Sequence, residues 1–348
     1  MDENKANKRV GIKDIAKEAN TSIASVSLVI NGKDNGKVAD KVKKRILEAI
    51  KKLNYQPNLN ARTLKSGDSV LIGLIVPSIT NHFYPELIKG IMQRADELGY
   101  YIVIFDSEND FAKEEAYVRT LRSISAKGII IAGVYDDDGR EERMFHELKE
   151  QGVPLLQVDR FNPIHQLPYV GLDNYQASYE MTKYLLSIGH ERIALLMPQG
   201  KQYIIEERRR GYEKAMKETD HDIEDGIFYL DAIHFSNLDD CVKNIIESPK
   251  RFTAIYDANG DISAIEVIKE LRKNDLIVPD DIGVTGFDDV YVSALIKPAL
   301  TTIRQPKYEL GKNAMDLMKQ IIDGNNTENM GIQLKGQLIA RGSVSVIL

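Results

Sequence analysis

Several polar and aromatic side chains of this 348-residue chain fall just after short apolar runs. Phe83 and Tyr84 follow VLIGLIVP (70 to 77); such a pair packs on a sugar ring or base face, or it staples the start of a helix. Asn81 carries the donors and acceptors that hydroxyls need, and it equally suits a helix cap. Asp159 and Arg160 close PLLQVD, where the arginine offers a planar fork of donors or makes a surface ion pair. Asp288, in GFDD, ends another apolar run and is suited to accept from a ligand hydroxyl. This is chemistry for holding a small polar molecule. Catalysis has no comparable constellation: the six histidines lack H-E-x-x-H spacing, and neither G-x-S-x-G nor G-x-G-x-x-G occurs. Asp136, Asp137 and Asp138 lead into Gly139 and read as a solvated loop, not a metal site. Cys241 is the lone cysteine, so no disulfide within the chain and no cysteine zinc cluster is expected.

A second set of residues is suited to DNA. In GIKDIAKEANTSIASVSLVING (11 to 32), Ile12, Ile15, Ala16 and Ala19 make one apolar helical face. Asn20 tolerates the left-handed conformation of a tight helix end, and Thr21 or Ser22 can cap a second helix. Val26, Val29 and Ile30 would then face inward. Ser22, Ile23, Ala24, Ser25, Ser27 and Leu28 remain outside, small and uncharged, slim enough for a major groove. An ordinary helical hairpin would look the same, so charge matters. The whole chain carries −6, yet residues 1 to 65 hold 12 Lys and 3 Arg against 7 Asp and Glu, a local +8 that leaves −14 for the rest. Attraction for phosphate is therefore confined to one end.

The elements that position these residues follow in order. Val42, Ile46, Ala49, Ile50 and Leu53 give the stripe of a third helix, while the KDNGK loop before it is no phosphate cradle. In YQPNLNARTLKSG, Pro57 stops the chain and Asn58 can cap about two turns, too short to be stable alone. Leu64, between cations, either packs on the next domain or pries open a minor-groove base step when the segment folds on DNA. Beyond it VLIGLIVP, YIVIFD, GIIIAG and PLLQVD alternate with helical patterns such as FYPELIKGIMQRADEL (83 to 98). The alternation restarts at RIALLMP (192 to 198) and runs through FTAIYD (252 to 257) and DIGVTGFDD (281 to 289). Parallel βαβ units in two Rossmann-like lobes are expected, with a ligand crevice at the carboxyl ends of the strands. No apolar run approaches the ~18 residues of a membrane span, and MDENKANKRV lacks a signal-peptide core, so a cytoplasmic protein is expected.

The run from Ile12 to Leu64 resembles the DNA-binding headpiece of the LacI/GalR family of bacterial repressors. IKDIAKEA, the S-x-x-x-V-S of SIASVS, VINGK, ILEAIKKLNYQPN and ARTL match in order. Asn20 replaces the family's turn glycine, the 33 to 37 loop is slightly long, Ala39 stands where a capping serine is common, and Leu28 where many members carry a base-reading arginine. The body resembles the same family's periplasmic-binding-protein-like effector domain, through IGLIVPSITNHFYPELIKGI, VGLDNYQASYEMTKYLLSIGHERIALL, VPDDIGVTGFDD and PALTTIRQP. By this resemblance Arg208, three residues before a glycine, faces the crevice. The family's A-N-D motif becomes AlaAsnGlyAsp at 258 to 261, so either Asn259 or Asp261 faces the ligand.

The resemblance implies an α/β protein with an all-α helix-turn-helix headpiece (1–57), a hinge (58–66) and a two-lobed effector-binding and dimerisation domain (67–348). Lobe 1 would take about 67–160 and 293–323, lobe 2 about 161–292 and 324–348. DNA would be met by Ile12, Lys13, Ser22, Ile23, Ala24, Ser25, Ser27, Leu28, Asn31, Tyr55, Asn58, Ala61, Leu64 and Lys65. The effector would be held by Asn81, Phe83, Tyr84, Asp159, Arg160, Arg208, Asn259 or Asp261, and Asp288. The expected function is a ligand-controlled, non-catalytic transcriptional repressor without cofactor or metal. Its partners would be a palindromic DNA operator, a second copy of the chain as homodimer, and a sugar or sugar derivative, with a purine also compatible.

Overall fold

The computed structural model describes residues 10–30, 34, 36–55, 69–134, 139–200, 202–219, 225–231 and 233–347. Asn31, Asn58, Ala61, Leu64, Lys65, the hinge expected at 58–66 and the carboxylate run at 136–138 lie outside the described residues. The chain divides into two units, Met1–Ser69 and Val70–Leu348.

The first unit holds α1 (Ile12–Glu18), α2 (Ile23–Ile30) and α3 (Asp40–Lys52). The Gly11 amide donates to Asp14 Oδ2 at 2.8 Å, satisfying a donor that the first turn of α1 leaves over. Asn20 adopts φ 44°, the left-handed turn expected of it. Ser22 Oγ then accepts from the Ser25 amide at 3.0 Å and starts α2. Ile15, Ala19, Val26, Val29, Val38, Ile46 and Ala49 form the shared core, with Val42, Ile50 and Leu53 packed at its edge. Ala39 begins α3 without a side-chain cap, but Asp40 in its first turn and Lys51 and Lys52 in its last suit the helix dipole.

In the second unit, one parallel sheet collects β1 (Leu71–Val76), β2 (Tyr101–Asp106), β3 (Gly128–Ile131), β4 (Leu155–Val158), β5 (Tyr169–Leu172) and β11 (Gly331–Leu334), in the order β11-β5-β4-β3-β1-β2. Its helices are α4 (Tyr84–Leu98), α5 (Phe111–Ser123), α6 (Arg140–Glu150) and α11 (Lys307–Ile322). Alternate strand residues go to opposite faces. Leu74, Val76, Ile130 and Val158 meet Leu87, Ile91, Met315 and Met318 of α4 and α11. Ile75, Ile129, Ile131 and Leu155 meet Val118, Leu121, Phe145 and Leu148 of α5 and α6.

The second lobe carries β6 (Ile193–Pro198), β7 (Ile227–Leu230), β8 (Ala254–Asp257) and β9 (Gly283–Thr285) in the parallel order β7-β6-β8-β9. Helices α7 (Asn174–Ser187), α8 (Tyr203–Glu218), α9 (Leu238–Ile246) and α10 (Asp261–Lys273) cover it. A separate antiparallel pair joins β10 (Thr302–Arg304) to β12 (Gln337–Ile339).

The two lobes exchange chain at different points from those expected. Residues 161–172 and 324–334, expected in lobe 2, supply β5 and β11, which pair with the first-lobe sheet (Val158↔Val170, Ile332↔Val170). Residues 293–304, expected in lobe 1, place Leu300 and Ile303 in second-lobe cores. The chain therefore crosses after Leu172, after Arg304 and after Leu334. Hydrogen-bonded neighbours, not the apolar pattern of each run, set these memberships.

Candidate functional site

Carboxyl ends of strands converge where the two lobes face each other. The segment after β1 brings Asn81, Phe83 and Tyr84, and the end of β4 brings Asp159 and Arg160. The end of β8 brings Asn259, and the segment after β9 brings Asp288. Arg208 reaches in from α8. Together with Ile204, Ile205 and Gln305 these residues line a small cleft of about 50 Å³.

The position of Arg208 follows from helix packing. A Cβ on Gly211 would sit 2.3 Å from the Tyr175 carbonyl oxygen, so glycine there lets α8 lie directly against α7. Arg208, one turn earlier, is then buried with its Nε donating to Asn174 Oδ1 at 2.8 Å and Nη1 to the Ala258 carbonyl at 2.7 Å. Its guanidinium lies 3.7 Å from the Phe287 ring centroid, a cation–π contact that fixes its plane.

Opposite stands Asp288. Its backbone φ is 112°, sparsely populated for a residue with a side chain, and strain of this kind gathers at ligand sites. Oδ1 accepts from Gln305 Nε2 at 2.6 Å. Burial in the cleft pushes its carboxyl up to about 7, with Arg208 pulling the other way. Asp159, also at positive φ (61°), accepts from Tyr84 Oη at 2.9 Å. Burial raises its carboxyl too, against the lowering effect of Arg160, of the Tyr84 hydrogen bond and of Arg208. Phe83 and Tyr84 are buried and meet edge to face, centroids 5.1 Å apart. Asn81 Oδ1 accepts from the Phe83 amide at 2.9 Å, so it caps this turn while its residue also borders the cleft. Arg160 Nη1 donates to Asn109 Oδ1 at 2.8 Å, holding the loop after β2.

Asp261 is a correction. It does not border the cleft; it is buried behind it, accepting from the Val290 amide (2.8 Å), Ser293 Oγ (2.6 Å) and Thr302 Oγ1. Burial raises its carboxyl to about 6. The extra Gly260 places Asn259 at the cleft and turns the next carboxylate into the lobe.

Two features escaped the sequence reading. Gln305 stands between β10 and α11, where no periodicity marks it. A larger groove of about 1120 Å³ continues from the cleft, sharing Arg160, Ile204 and Ile205 with it. Its one sequence signal was Gln157, a polar residue inside the otherwise apolar strand LLQV.

In the first unit, α2 presents Ser22, Ile23 and Ala24 as exposed, with Ser25 and Ser27 half-buried. Ile12, Leu28 and Tyr55 are partly buried against the headpiece core. Lys13 is exposed on α1. No helix among the described residues is long and apolar enough to cross a membrane.

Helix-turn-helix geometry in one unit and a polar cleft between two α/β lobes in the other define a DNA-binding regulator that answers to a ligand. Residues 69–341 match the family described as periplasmic binding proteins and sugar binding domain of the LacI family, and residues 11–58 match the bacterial regulatory proteins of the lacI family. The chain belongs to the LacI family. The transcriptional regulator RegA of Clostridium saccharobutylicum is 33% identical over 339 residues, spanning 95% of this chain and 98% of that protein. The regulator DegA of Bacillus subtilis is 30% identical over 335 residues, spanning 96% and 98%. The lac repressor dimer bound to operator and the anti-inducer ONPF aligns with TM-score 0.85 at 25% identity, covering 97% of this chain and 100% of that one. The protein is a ligand-responsive, sequence-specific transcriptional regulator.

Proposed function

We propose that the protein is a homodimeric repressor whose operator affinity is set by a sugar or sugar derivative in the cleft, and that it acts without catalysis, in the cytoplasm. The carrying observation is the juxtaposition of Arg208 and Asp288 within one lining. A donor fork beside an acceptor serves neighbouring hydroxyls of one ring, and Phe83 and Tyr84 supply an apolar wall. Asn81, Asp159, Arg160 and Asn259 complete the ligand shell in this reading. Residues 1–57 serve as headpiece, 58–66 as hinge and 67–348 as effector and dimerisation domain. The exposed face of α2 enters the major groove, and Asn31, Tyr55, Asn58, Ala61, Leu64 and Lys65 extend the DNA contact.

Dimerisation is supported by apolar exposure on a sheet edge that no other described strand pairs. Tyr101 and Ile104 of edge strand β2 are 55% and 37% exposed, and Met92 on neighbouring α4 is 49% exposed. An uncovered apolar edge strand invites a partner. Ligand binding shifts the lobes about the three crossovers and thereby biases folding of the hinge on DNA.

The test is titration of wild type and Arg208→Ala in an operator-binding assay. Arg208→Ala should lose ~30-fold or more in ligand affinity, as loss of a charged partner in a closed cleft costs about 2–5 kcal/mol. Matching dissociation constants would place the ligand elsewhere.

A further inference from the structure

The inner cleft encloses about 50 Å³, well below the roughly 300–1,000 Å³ of pockets for drug-sized ligands, so a ligand held by Arg208 and Asp288 extends beyond it. Its free side opens into the 1120 Å³ groove. One wall of that groove is the first-lobe segment around Gln157 and Phe161; the other is the start of α8 with Tyr229 of edge strand β7. Resting on the sugar reading of the cleft, we propose that the effector is a neutral glycan of at least two rings, one ring seated between Arg208 and Asp288 and the next lying in this groove.

Three observations carry the extension. Gln157 is only 1% exposed, yet its Oε1 has no hydrogen-bond partner among the described residues. Its Nε2 is engaged with His165 Nδ1 at 3.0 Å, which leaves Oε1 as the open hydrogen-bonding atom of a residue that lines the groove. An orphaned buried acceptor costs free energy unless a ligand donor meets it. Gln202 Oε1, on the opposite wall, is likewise buried without a partner. Hydroxyl groups supply such donors.

Aromatic surface comes second. Phe161 is stacked on Tyr169 at 4.2 Å and leans on Tyr203 at 5.6 Å, so these rings form one rigid group at the inner end. Tyr229, 46% exposed, stands at the outer end. Phe161 is itself buried, so Tyr203 and Tyr229 are the rings that can meet apolar sugar faces along the groove.

Charge is third. Glu141, Glu142 and Glu206 border the groove, and its Arg209 is already engaged by Glu213 at 2.8 Å and Glu206 at 3.7 Å. With Arg160 also on the groove and Glu206 offset by Arg209, this lining of mixed sign gives a phosphorylated or uronic-acid sugar no net attraction and accommodates an uncharged one.

The experiment is calorimetric titration of the full-length protein with glucose, galactose, mannose, xylose and ribose, and with maltose, cellobiose, lactose, mannobiose, xylobiose and maltotriose. At least one glycan of two or more rings should bind about tenfold or more tighter than its component monosaccharides. Gln157→Leu and Tyr229→Ala should each shrink that advantage to about threefold or less, whereas Arg208→Ala should weaken single-ring and multi-ring ligands alike. Tyr229→Ala, at an exposed position, remains informative should Gln157→Leu fold poorly. A monosaccharide binding as tightly as every longer glycan, with Arg208→Ala still abolishing it, overturns the groove and leaves the cleft reading standing. An advantage untouched by both groove variants also overturns it. No response to any sugar overturns the sugar reading and this extension together.

Discussion

Gln305 Nε2 donates to Asp288 Oδ1 at 2.6 Å, which ties the candidate ligand acceptor to the residue where the chain leaves β10 for α11. The turn at Asp288 and Asp289, with φ 112° and 49°, is braced from several sides. Lys307 Nζ donates to the carbonyls of both residues, and Arg304 and Arg341 each pair with the Asp289 carboxylate at 2.6 Å. A strained backbone persists where its surroundings over-determine it. Here those surroundings belong to a crossover between lobes, so a ligand pulling on Asp288 pulls on that crossover.

Gln305→Leu keeps the approximate volume and removes the tie. The ratio of operator dissociation constants with and without ligand should fall by about fivefold or more, the low end of ordinary allosteric coupling. Fluorescence anisotropy on operator DNA with saturating ligand measures it. An unchanged ratio at unchanged ligand affinity would deny the tie any part in signalling.

Asp288 also predicts a pH dependence. Burial raises its carboxyl from 3.8 to about 7, so the native state holds this proton more tightly than the unfolded chain. The associated stability is complete below 3.8 and is lost as pH rises to about 7. Asp288→Asn should therefore raise the thermal midpoint most above that range, by roughly 3 °C or more, and little in acid. Asp257, also raised to about 7 by burial, keeps its own dependence in the variant. In the wild type, affinity for a hydroxyl donor should increase as pH passes about 7, because the ionised carboxylate is the better acceptor. Parallel melting curves of both proteins across pH would refute the assignment.

Much of this was legible in the chain because it is local. The turn at Asn20 and the apolar stripes of the headpiece need only near neighbours. The cleft residues Tyr84, Asp159 and Asp288 were read from their types and places after apolar runs, and Arg208 from the family resemblance. Lobe membership was not legible: β11 reaches its sheet through β5, more than a hundred residues away, and an apolar run reads the same in either sheet. Asn259 and Asp261 could not be separated because one inserted glycine changes which side chain faces the cleft. Gln305 carries no periodicity at all, since its role comes from standing beside Asp288 just past the crossover after Arg304.

Gly211→Ala tests how helix packing delivers Arg208. The added Cβ would sit 2.3 Å from the Tyr175 carbonyl oxygen and 2.8 Å from the Tyr179 amide nitrogen, backbone atoms that cannot simply rotate away. Separating α7 from α8 should cost about 1–3 kcal/mol, as overpacking does. The same shift should draw Arg208 from Asn174 and weaken ligand binding. Urea unfolding should show a lower midpoint, and a midpoint equal to wild type would mean that the helices have slack at this crossing.

Leu28 bears on which DNA is read. It lies on α2, half-buried against the headpiece core, so part of its side chain is committed to packing and the remainder borders the exposed face. An aliphatic group cannot donate to guanine, but it can touch a thymine methyl. The operator half-site should therefore differ, at the base pair Leu28 meets, from sites read by relatives with arginine there. Leu28→Arg should move the preference toward guanine by about 1–3 kcal/mol, the worth of a good bidentate contact. It should also lower headpiece stability slightly, since the packed part of the leucine is lost. Selection of binding sites from random DNA with both proteins is the measurement. Recovery of the same half-site for both would remove Leu28 from the reading face, while a change confined to that one base pair would fix the orientation of α2 in the groove.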